Sequence, residues 1–169
     1  MTDPVDLRRG AISDLSSLEP LWVSVHHHHA ETMPELAPYV DDRQTWAVRR
    51  ARYAELLDKP ETVLLLAGLG GALVGYGLAH VLEVRETWVA DTWRTGPRIG
   101  EIESLAVLPS HRDRGIGSRL LAALEGELEG IGVHDLVLGV VPGNTAAIRL
   151  YERRGYRPTW TYLSRFADR

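Results

Sequence analysis

The amino-acid sequence predicts a mixed α+β fold (mixed α/β), in which helices and strands follow one another without strict alternation. Apolar residues recur with the helical period in several segments, short β-rich runs lie between those segments, and glycine or proline residues separate the two kinds. The 169 residues are 44% hydrophobic and 25% charged, and they show no internal repeat, low-complexity tract or linker. This composition predicts a single domain over residues 1–169.

The first third of the chain predicts one strand followed by two helices. Apolar and polar residues alternate over Val5–Arg9, which indicates the strand. Ser13 is predicted to cap the first helix. The inward positions of that helix are Leu15, Leu18, Trp22 and Val25. A second helix is predicted from about Asp42 to Leu57. Its inward positions are Trp46, Tyr53 and Leu57.

A β-hairpin and a further strand are predicted in the middle of the chain. Thr62–Ala67 and Ala72–Leu82 are β-rich, and the glycines between them supply the turn. The segment 83–98 receives no assigned conformation. Ile99–Leu108 is predicted as a strand that Pro109 ends.

The last third predicts two helices and at least two strands. From Gly115 a helix follows whose apolar face is Leu120, Leu121, Leu124 and Leu128. Asp135–Val141 is predicted as a strand and Asn144–Arg154 as a helix that ends at Gly155. The tail Tyr156–Arg165 is rich in tyrosine, tryptophan and threonine, which predicts one or two more strands.

The composition excludes several classes of protein. A formal net charge of −4 argues against non-specific nucleic-acid binding, and the absence of cysteine excludes disulfides, thiolate metal sites and a cysteine nucleophile. Met1–Gly10 has no apolar run, so it is not expected to be a signal peptide, and the apolar stretches are too short to span a bilayer. We therefore expect a cytoplasmic protein that does not bind membranes.

The segment from Leu105 to Ser118 is the most informative in the chain. A β-rich run leads into a short polar loop, and Arg112-x-x-Gly115-x-Gly117 then opens a helix. Unpaired N–H groups at a helix start, glycines and flanking arginines suit a pyrophosphate. The segment lacks the Gly-Lys-Ser/Thr of a Walker A loop and the third glycine of the dinucleotide fingerprint. On this segment alone, a plain strand-to-helix turn stays open.

The same segment resembles motif A of the GNAT superfamily of N-acetyltransferases. The run Asn144-Thr-Ala-Ala-Ile-Arg-Leu-Tyr-Glu-Arg-Arg-Gly-Tyr156 resembles motif B of that superfamily. The resemblance implies an enzyme that moves an acetyl group directly from acetyl-CoA to an amine. It also implies a central, mostly antiparallel mixed sheet that splays at the cofactor site and is flanked by about four helices.

The resemblance also implies which residues bind the cofactor. Backbone groups of Leu105, Ala106 and Val107 would pair with the pantetheine arm and the acetyl carbonyl. The pyrophosphate would lie on the amides of the next loop, near Arg112. These amides belong to Asp113, Arg114, Gly115, Ile116, Gly117 and Ser118. Asn144 would touch the cofactor, and Tyr151 would protonate the departing thiolate. Periodicity alone favours a plain helix cap for Asn144 and a core aromatic for Tyr151.

The resemblance implies a general base on the strand that enters motif A. Glu101 and Glu103 are two residues apart and are expected on one face of that strand. Family members use a carboxylate at one or other of these positions. His80 shares a predicted strand face with Tyr76 and Leu78, which makes it an alternative base or a packed histidine.

The acceptor amine is predicted to belong to a small molecule. Relatives that acetylate ribosomal-protein N-termini tend to carry a glutamate where this chain has Gly139. A protein lysine or N-terminal acetyltransferase and a non-catalytic acyl-CoA sensor remain as alternatives, and a homodimer is left open.

Three further features are assigned to the acceptor side without a settled role. No metal is predicted at His26–His29, because no acidic or cysteine partner lies at a familiar spacing. These histidines are expected near the substrate, together with the acidic residues Glu31, Glu35, Asp41 and Asp42. Trp88 and Trp93 are predicted to cover either the acceptor pocket or a partner surface.

Overall fold

A computed structural model describes residues 5–167, so part of the predicted Met1–Gly10 segment lies outside the described residues. The strands are β1 (Asp6–Arg9), β2 (Val63–Leu69), β3 (Ala72–Glu83), β4 (Arg98–Val107) and β5 (Leu136–Leu138). The α-helices are α1 (Glu19–Thr32), α2 (Asp42–Leu57), α3 (Ile116–Gly130) and α4 (Thr145–Arg153). Short 3-10 helices cover Ile12–Leu18, Pro34–Leu36, Val84–Glu86 and Pro109–His111.

The strands form one open sheet in the order β1-β2-β3-β4-β5. Neighbouring strands are antiparallel except for β4 and β5, which are parallel. The turn between β2 and β3 contains Gly70 and Gly71, with φ angles of 57° and 81° that favour glycine. The predicted hairpin and the predicted mixed α+β class are therefore confirmed.

The two faces of the sheet are covered by different helices. Helices α1 and α2 pack on one face around Tyr53, Tyr76 and Leu78, which are completely buried. Helix α3 packs on the other face through its predicted apolar stripe of Leu120, Leu121, Leu124 and Leu128, each buried. Among residues 5–167, no helix is both long enough and apolar enough to cross a lipid bilayer.

Glycines in the sheet let α3 approach the strands closely. A Cβ on Gly77 would lie 2.7 Å from Leu124 Cδ1, and a Cβ on Gly100 would lie 2.7 Å from Leu128 Cδ1. Real Cβ atoms do not approach other atoms so closely, so a side chain at either glycine would force these leucines out of their positions. Glycine at these positions therefore permits the close packing of the α3 leucines on β3 and β4.

The start of the first helical segment differs from the prediction. A 3-10 helix begins at Ile12 with Ala11 at its N-cap, and the α-helix begins only at Glu19. Ser13 lies inside the 3-10 turn and is not the cap. Instead, the carboxylate of Asp14 accepts a hydrogen bond from the Ala11 amide at 2.8 Å, which satisfies the first donor of the helix from inside the turn.

Two strand predictions are also corrected. The predicted strand Asp135–Val141 is paired over only three residues, Leu136–Leu138. The predicted strands in Tyr156–Arg165 are absent, because the described tail adopts no regular structure and is mostly exposed. A β-rich sequence forms a strand only where a neighbouring edge accepts its hydrogen bonds, and sequence alone does not reveal that edge. The end of α4 at Arg153 and the φ of 91° at Gly155 agree with the prediction.

Leu124→Ala should lower the free energy of unfolding by about 2–5 kcal/mol, because it removes a fully buried side chain that packs on Gly77. Urea unfolding followed by circular dichroism measures this change. Glu129→Ala on the exposed side of the same helix is the control and should change stability by less than about 0.5 kcal/mol. Equal effects of the two variants would contradict the packing described here.

Candidate active site

A cleft opens where β4 and β5 stop pairing. The parallel register runs from Gly100 opposite Leu136 to Ile102 opposite Leu138 and then ends. Beyond that point β4 continues beside β3 to Val107, whereas the chain after β5 leaves the sheet. The gap holds a cavity of about 1010 Å³ lined from both sides. One edge of β4 therefore faces a ligand-sized space instead of another strand.

A β-bulge in β4 determines which side chains face the helices α1 and α2. Leu78 lies opposite Ser104 and Ala79 lies opposite Ile102, so Glu103 is an extra residue without a partner on β3. Side chains normally alternate along a strand, but the bulge turns Glu103 and Ser104 to the same face. There, Ser104 accepts a 2.5 Å hydrogen bond from Tyr53, and Glu103 meets arginines of α2.

The loop after β4 leads to the amino terminus of α3 at the edge of the cleft. Asp113 and Gly115 have φ angles of 59° and 75°, and Gly115 is the N-cap of the helix. Arg112 Nε donates to the carbonyl of Val107 at 3.2 Å, which ties the loop back to the strand. Residues 113–115 are exposed, so their amides face solvent and lie beside the positive end of the helix dipole.

Helix α4 presents Asn144 and Tyr151 to the same cleft from the opposite side. Asn144 caps the helix, because its Oδ1 accepts from the Ala147 amide at 3.2 Å. Burial raises the pKa of the Tyr151 phenol to about 12, so this group stays protonated at neutral pH. Among the described residues, the Tyr151 hydroxyl has no hydrogen-bond partner, which leaves it available to a ligand.

The structure brings most of the predicted site residues to this one cleft. The lining residues that the sequence singled out are Glu103, Leu105, Ala106, Val107, Arg112, Asp113, Gly115, Ile116, Gly117, Ser118, Asn144 and Tyr151. Arg114 and Glu101 are not among the lining residues. Arg114 is an exposed residue of the loop, and Glu101 Oε2 lies 3.2 Å from His80 Nε2.

Glu103 is held in a network of charges. Its Oε1 accepts from Arg49 Nη1 at 2.8 Å, and its Oε2 lies 3.4 Å from both Arg52 Nη2 and His80 Nε2. Burial opposes ionisation of this carboxyl, but His80 and the two arginines outweigh it and hold the pKa of Glu103 below its usual range. Glu103 is therefore an ionised and weakly basic carboxylate at neutral pH.

His80 lies behind the cleft and links the two glutamates. Its Nε2 is 3.2 Å from Glu101 Oε2 and 3.4 Å from Glu103 Oε2, and its side chain is almost completely buried. Burial lowers the pKa of His80, but the two carboxylates outweigh it and raise that pKa above its ordinary value. Because His80 is absent from the cleft lining, it is a packed partner of the carboxylates in this structure.

His80, Glu101 and Glu103 are also the one group among residues 5–167 with a metal-ligand composition. Their ligand atoms all lie within 4.8 Å of one another. Arg49 and Arg52 already neutralise Glu103, so a divalent cation would be repelled there. We assign the cluster to an ion-pair network, not to a metal centre.

The four consecutive histidines of α1 point in different directions. His26 contacts the carbonyl of Val40 at 2.8 Å, and His27 contacts Asp42 at the same distance. His28 reaches across the cleft to Asn144 Oδ1 at 3.3 Å. His28 and His29 line the cleft, and burial, with the nearby histidines, lowers the pKa of His29. His29 is therefore neutral at neutral pH.

Sequence reasoning missed Arg49, which lines the cleft beside Trp22. The sequence nevertheless contains a signal that Arg49 faces inward. Arg49 follows the inward-facing Trp46 by three residues and therefore lies on the same side of α2. The lining does not include the acidic residues expected near the substrate, Glu31, Glu35, Asp41 and Asp42. Trp88 and Trp93 pack with Trp160 at ring distances of 5.7–6.1 Å and do not line the cleft.

The open mixed sheet, the splayed strand pair and the glycine-bounded helix start agree with the fold that the family resemblance implied. A sequence model of the acetyltransferase (GNAT) family matches residues 22–156. The chain belongs to this family. The predicted family is confirmed, and the family is one of acyltransferases.

Relatives of known description include several acetyltransferases. A mycothiol acetyltransferase of Paenarthrobacter aurescens is 32% identical over 82% of this chain and 39% of its own length. An L-methionine sulfoximine/L-methionine sulfone acetyltransferase of Salmonella typhimurium is 26% identical over 87% of this chain and 77% of its own. An N-alpha-acetyltransferase of Sulfurisphaera tokodaii is 28% identical over 69% of each. The chain spans less than half the length of the mycothiol acetyltransferases that it matches.

Solved structures share the fold at low sequence identity. A GCN5-related N-acetyltransferase from Ralstonia eutropha superposes with a TM-score of 0.74 at 22% identity, covering 98% of this chain and 100% of its own. An aminoglycoside N-acetyltransferase in complex with CoA gives 0.69 at 20% identity, covering 99% and 97%. These similarities confirm the predicted fold class.

Glu103→Gln should lower the free energy of unfolding by about 2 kcal/mol near pH 6, because it removes the anion that two arginines and His80 share. The pKa of Glu103 is lowered in the folded state, so its contribution is present above the unfolded value of about 4.3 and is lost as the pH falls through the folded pKa. Urea unfolding at pH 6 and pH 3 measures the difference between wild type and variant.

Glu61→Gln is the matched control, since Glu61 pairs with Arg98 at a more exposed site. It should cost less than about 1 kcal/mol at either pH. A Glu103→Gln penalty that stays constant down to pH 3 would contradict the proposed ion-pair network.

Proposed function

We propose that this protein is an acetyl-CoA-dependent N-acetyltransferase that acts on the amine of a small molecule. The observation that supports this proposal most strongly is the continuous cleft that joins the free edge of β4 to the amino terminus of α3 and faces Tyr151. We also propose that the chain acts as one domain, because helices of both sheet faces contribute to this cleft.

The residues of the cleft fit acetyl-CoA. Gly117 lines the cleft, where a Cβ would lie 3.6 Å from Leu150 and 3.9 Å from Val107, so the absence of a side chain leaves room for a phosphate beside the helix amides. The free edge of β4 over Leu105–Val107 offers backbone groups to an extended amide-containing arm. The cosubstrate supplies the acetyl group activated as a thioester.

The chain's own groups would orient the reaction and stabilise the charges that develop. Backbone N–H groups at the free edge of β4 are placed to donate to the thioester oxygen when negative charge develops there. Tyr151 would donate its hydroxyl hydrogen to the departing sulfur. With a pKa of about 12, this phenol is a weaker acid than an ordinary thiol, so a strong hydrogen bond to the thiolate is favoured over early proton transfer.

The acceptor amine must lose a proton during attack. Glu103 is better placed to assist than Glu101, because Glu103 lines the cleft and Glu101 does not. Its lowered pKa makes Glu103 suited to hold the ammonium group and to pass its proton to water. His29 lines the same cleft as a neutral imidazole, so it provides a second proton acceptor at neutral pH.

The proposal for a small-molecule acceptor rests on two observations. The named relatives include a mycothiol and a methionine sulfoximine acetyltransferase, although an N-alpha-acetyltransferase is related as well. At Gly139 the cleft wall carries no side chain, so the glutamate that the family resemblance associates with protein N-termini is replaced. A protein acceptor and a sensor without turnover are the competing hypotheses, and thiol release from acetyl-CoA with small amines separates them.

Acetyl-CoA should raise the melting temperature of the wild-type protein, and Gly117→Leu should abolish the shift because the side chain occupies the phosphate position. Calorimetry with and without 1 mM cosubstrate measures the shift in melting temperature. This concentration is on the order of 100 times an expected Kd. Gly126→Leu, on the exposed side of the same helix with no atom near its Cβ, is the control and should retain the shift. Absence of any shift in the wild type would refute the proposed cosubstrate.

Tyr151→Phe should lower the single-turnover rate about 10²- to 10⁴-fold, because the sulfur loses its hydrogen-bond donor. Binding of acetyl-CoA should change little, because the phosphate loop belongs to a different element. Rapid mixing of excess enzyme with acetyl-CoA and amine measures the chemical step without product release. Tyr162→Phe, at a residue that is 81% exposed, is the control. An unchanged chemical rate in Tyr151→Phe would make this tyrosine a packing residue.

A further inference from the structure

The wall of the cleft formed by α1 and α2 carries an arginine whose orientation is fixed by its neighbours. The guanidinium carbon of Arg49 lies 3.9 Å from the centre of the Trp22 ring, and Arg49 Nη1 donates to Glu103 at 2.8 Å. Trp22 is itself buried and donates from Nε1 to Thr45 at 3.0 Å. A stacked and hydrogen-bonded guanidinium loses little further freedom when it binds a ligand.

Stacking leaves the remaining donors of Arg49 free for a ligand. The face of the guanidinium is used by Trp22, whereas its N–H groups lie in the plane of the group and point outward from its edge. Among the described residues, only Nη1 of Arg49 donates to a protein atom. The Arg49 side chain is 28% exposed and lines the cleft, so Nε and Nη2 are available to a planar anion.

This arginine lies apart from the site for the phosphates. Four residue steps separate Glu103 from Val107 along β4, which is about 13 Å of extended strand, and the phosphate loop follows beyond Val107. A group bound by Arg49 would therefore be at the acceptor end of the cleft. The neighbouring ionisable groups at that end are Glu103, His28, His29 and, behind the lining, Arg52 and His80.

We propose that the acceptor is an amine that also carries a carboxylate, with the carboxylate held by Arg49 and the amino group beside Glu103. This inference rests on the proposed acetyltransferase function and specifies the substrate class of the same site. Arg49 and Glu103 are hydrogen-bonded neighbours of opposite charge. They match the carboxylate and the ammonium group of an α-amino acid. Attack of the free amine on the thioester carbon forms the new C–N bond, the C–S bond breaks, and CoA departs as its thiolate, which takes up a proton to become the thiol. The amine proton leaves to water or His29.

The charge of this wall disfavours a polycationic acceptor. Glu103 is the one carboxylate among the lining residues at the acceptor end, and two arginines already contact it. A cation without an anionic group would meet Arg49 without compensation, and like charges at close range repel. A carboxylate on the acceptor removes that repulsion and gains charge-assisted hydrogen bonds.

The test uses matched triples of acceptors that share a side chain. Phenylalanine, phenylalaninamide and phenethylamine form one triple, and methionine, leucine and glutamate derivatives form others. Thiol release from acetyl-CoA gives kcat/KM for each. We expect the carboxylate member of at least one triple to exceed its amide about 10- to 100-fold, the effect of losing a hydrogen bond to a charged group.

Variants of Arg49 identify the residue responsible. Arg49→Gln should reduce the ratio of kcat/KM between acid and amide to about 1, and Arg49→Lys should leave an intermediate ratio because it keeps the charge without the planar fork. Arg50→Gln, at an exposed neighbour on the same helix, should leave the ratio unchanged. This ratio compares two substrates on one protein, so a loss of stability in a variant does not imitate the result.

The possible outcomes separate this inference from the function on which it rests. If the enzyme turns over amides and carboxyl-free amines as efficiently as the acids, the inference is overturned, whereas the proposed acetyltransferase function is not. A preference for acids that survives Arg49→Gln would overturn the assignment of Arg49. If acetyl-CoA binds but no amine of the panel releases thiol, both the small-molecule function and the inference fail.

Discussion

The separation of β4 from β5 is the constraint on which the rest of the site depends. The pairing of β4 with β5 ends at Ile102 and Leu138, and beyond that point Ser104–Val107 pair with β3 only. An unpaired strand edge in a protein interior must find other hydrogen-bond partners. Here that edge borders a cavity, so a ligand with amide groups can take the place of the missing strand.

The same constraint explains why the two ends of the cleft have different chemistry. At one end, β4 runs into the glycine-bounded start of α3, where exposed amides and the helix dipole favour phosphate. At the other end, the bulge at Glu103 turns a carboxylate towards the arginines of α2. In the proposed complex the thioester lies between the two ends, close to Tyr151, and the proposed phosphate and acceptor positions both adjoin β4.

The electrostatics of the acceptor end follow from burial. Glu103 and His80 are both largely removed from water, which by itself disfavours the charged form of each. The opposite charges around them outweigh this loss of hydration, so the pKa of Glu103 is lowered and the pKa of His80 is raised. The resulting network holds Glu103 and Arg49 in fixed positions at the cleft wall, which preorganises them for a charged acceptor.

The sequence by itself determined the elements with strong local signals. Residues 42–57 have a helical apolar period and formed the predicted helix, and Arg112-x-x-Gly115-x-Gly117 predicted the helix start at Gly115, because glycines and helix starts act locally. Tertiary structure decided the features that need a distant partner. The tail at 156–165 has strand-forming residues but pairs with no strand of the sheet. The bulge at Glu103 depends on the register with β3, and Arg49 reaches the cleft because α2 packs against β4. Pairing and packing join residues far apart in the chain, and local preference does not contain that information.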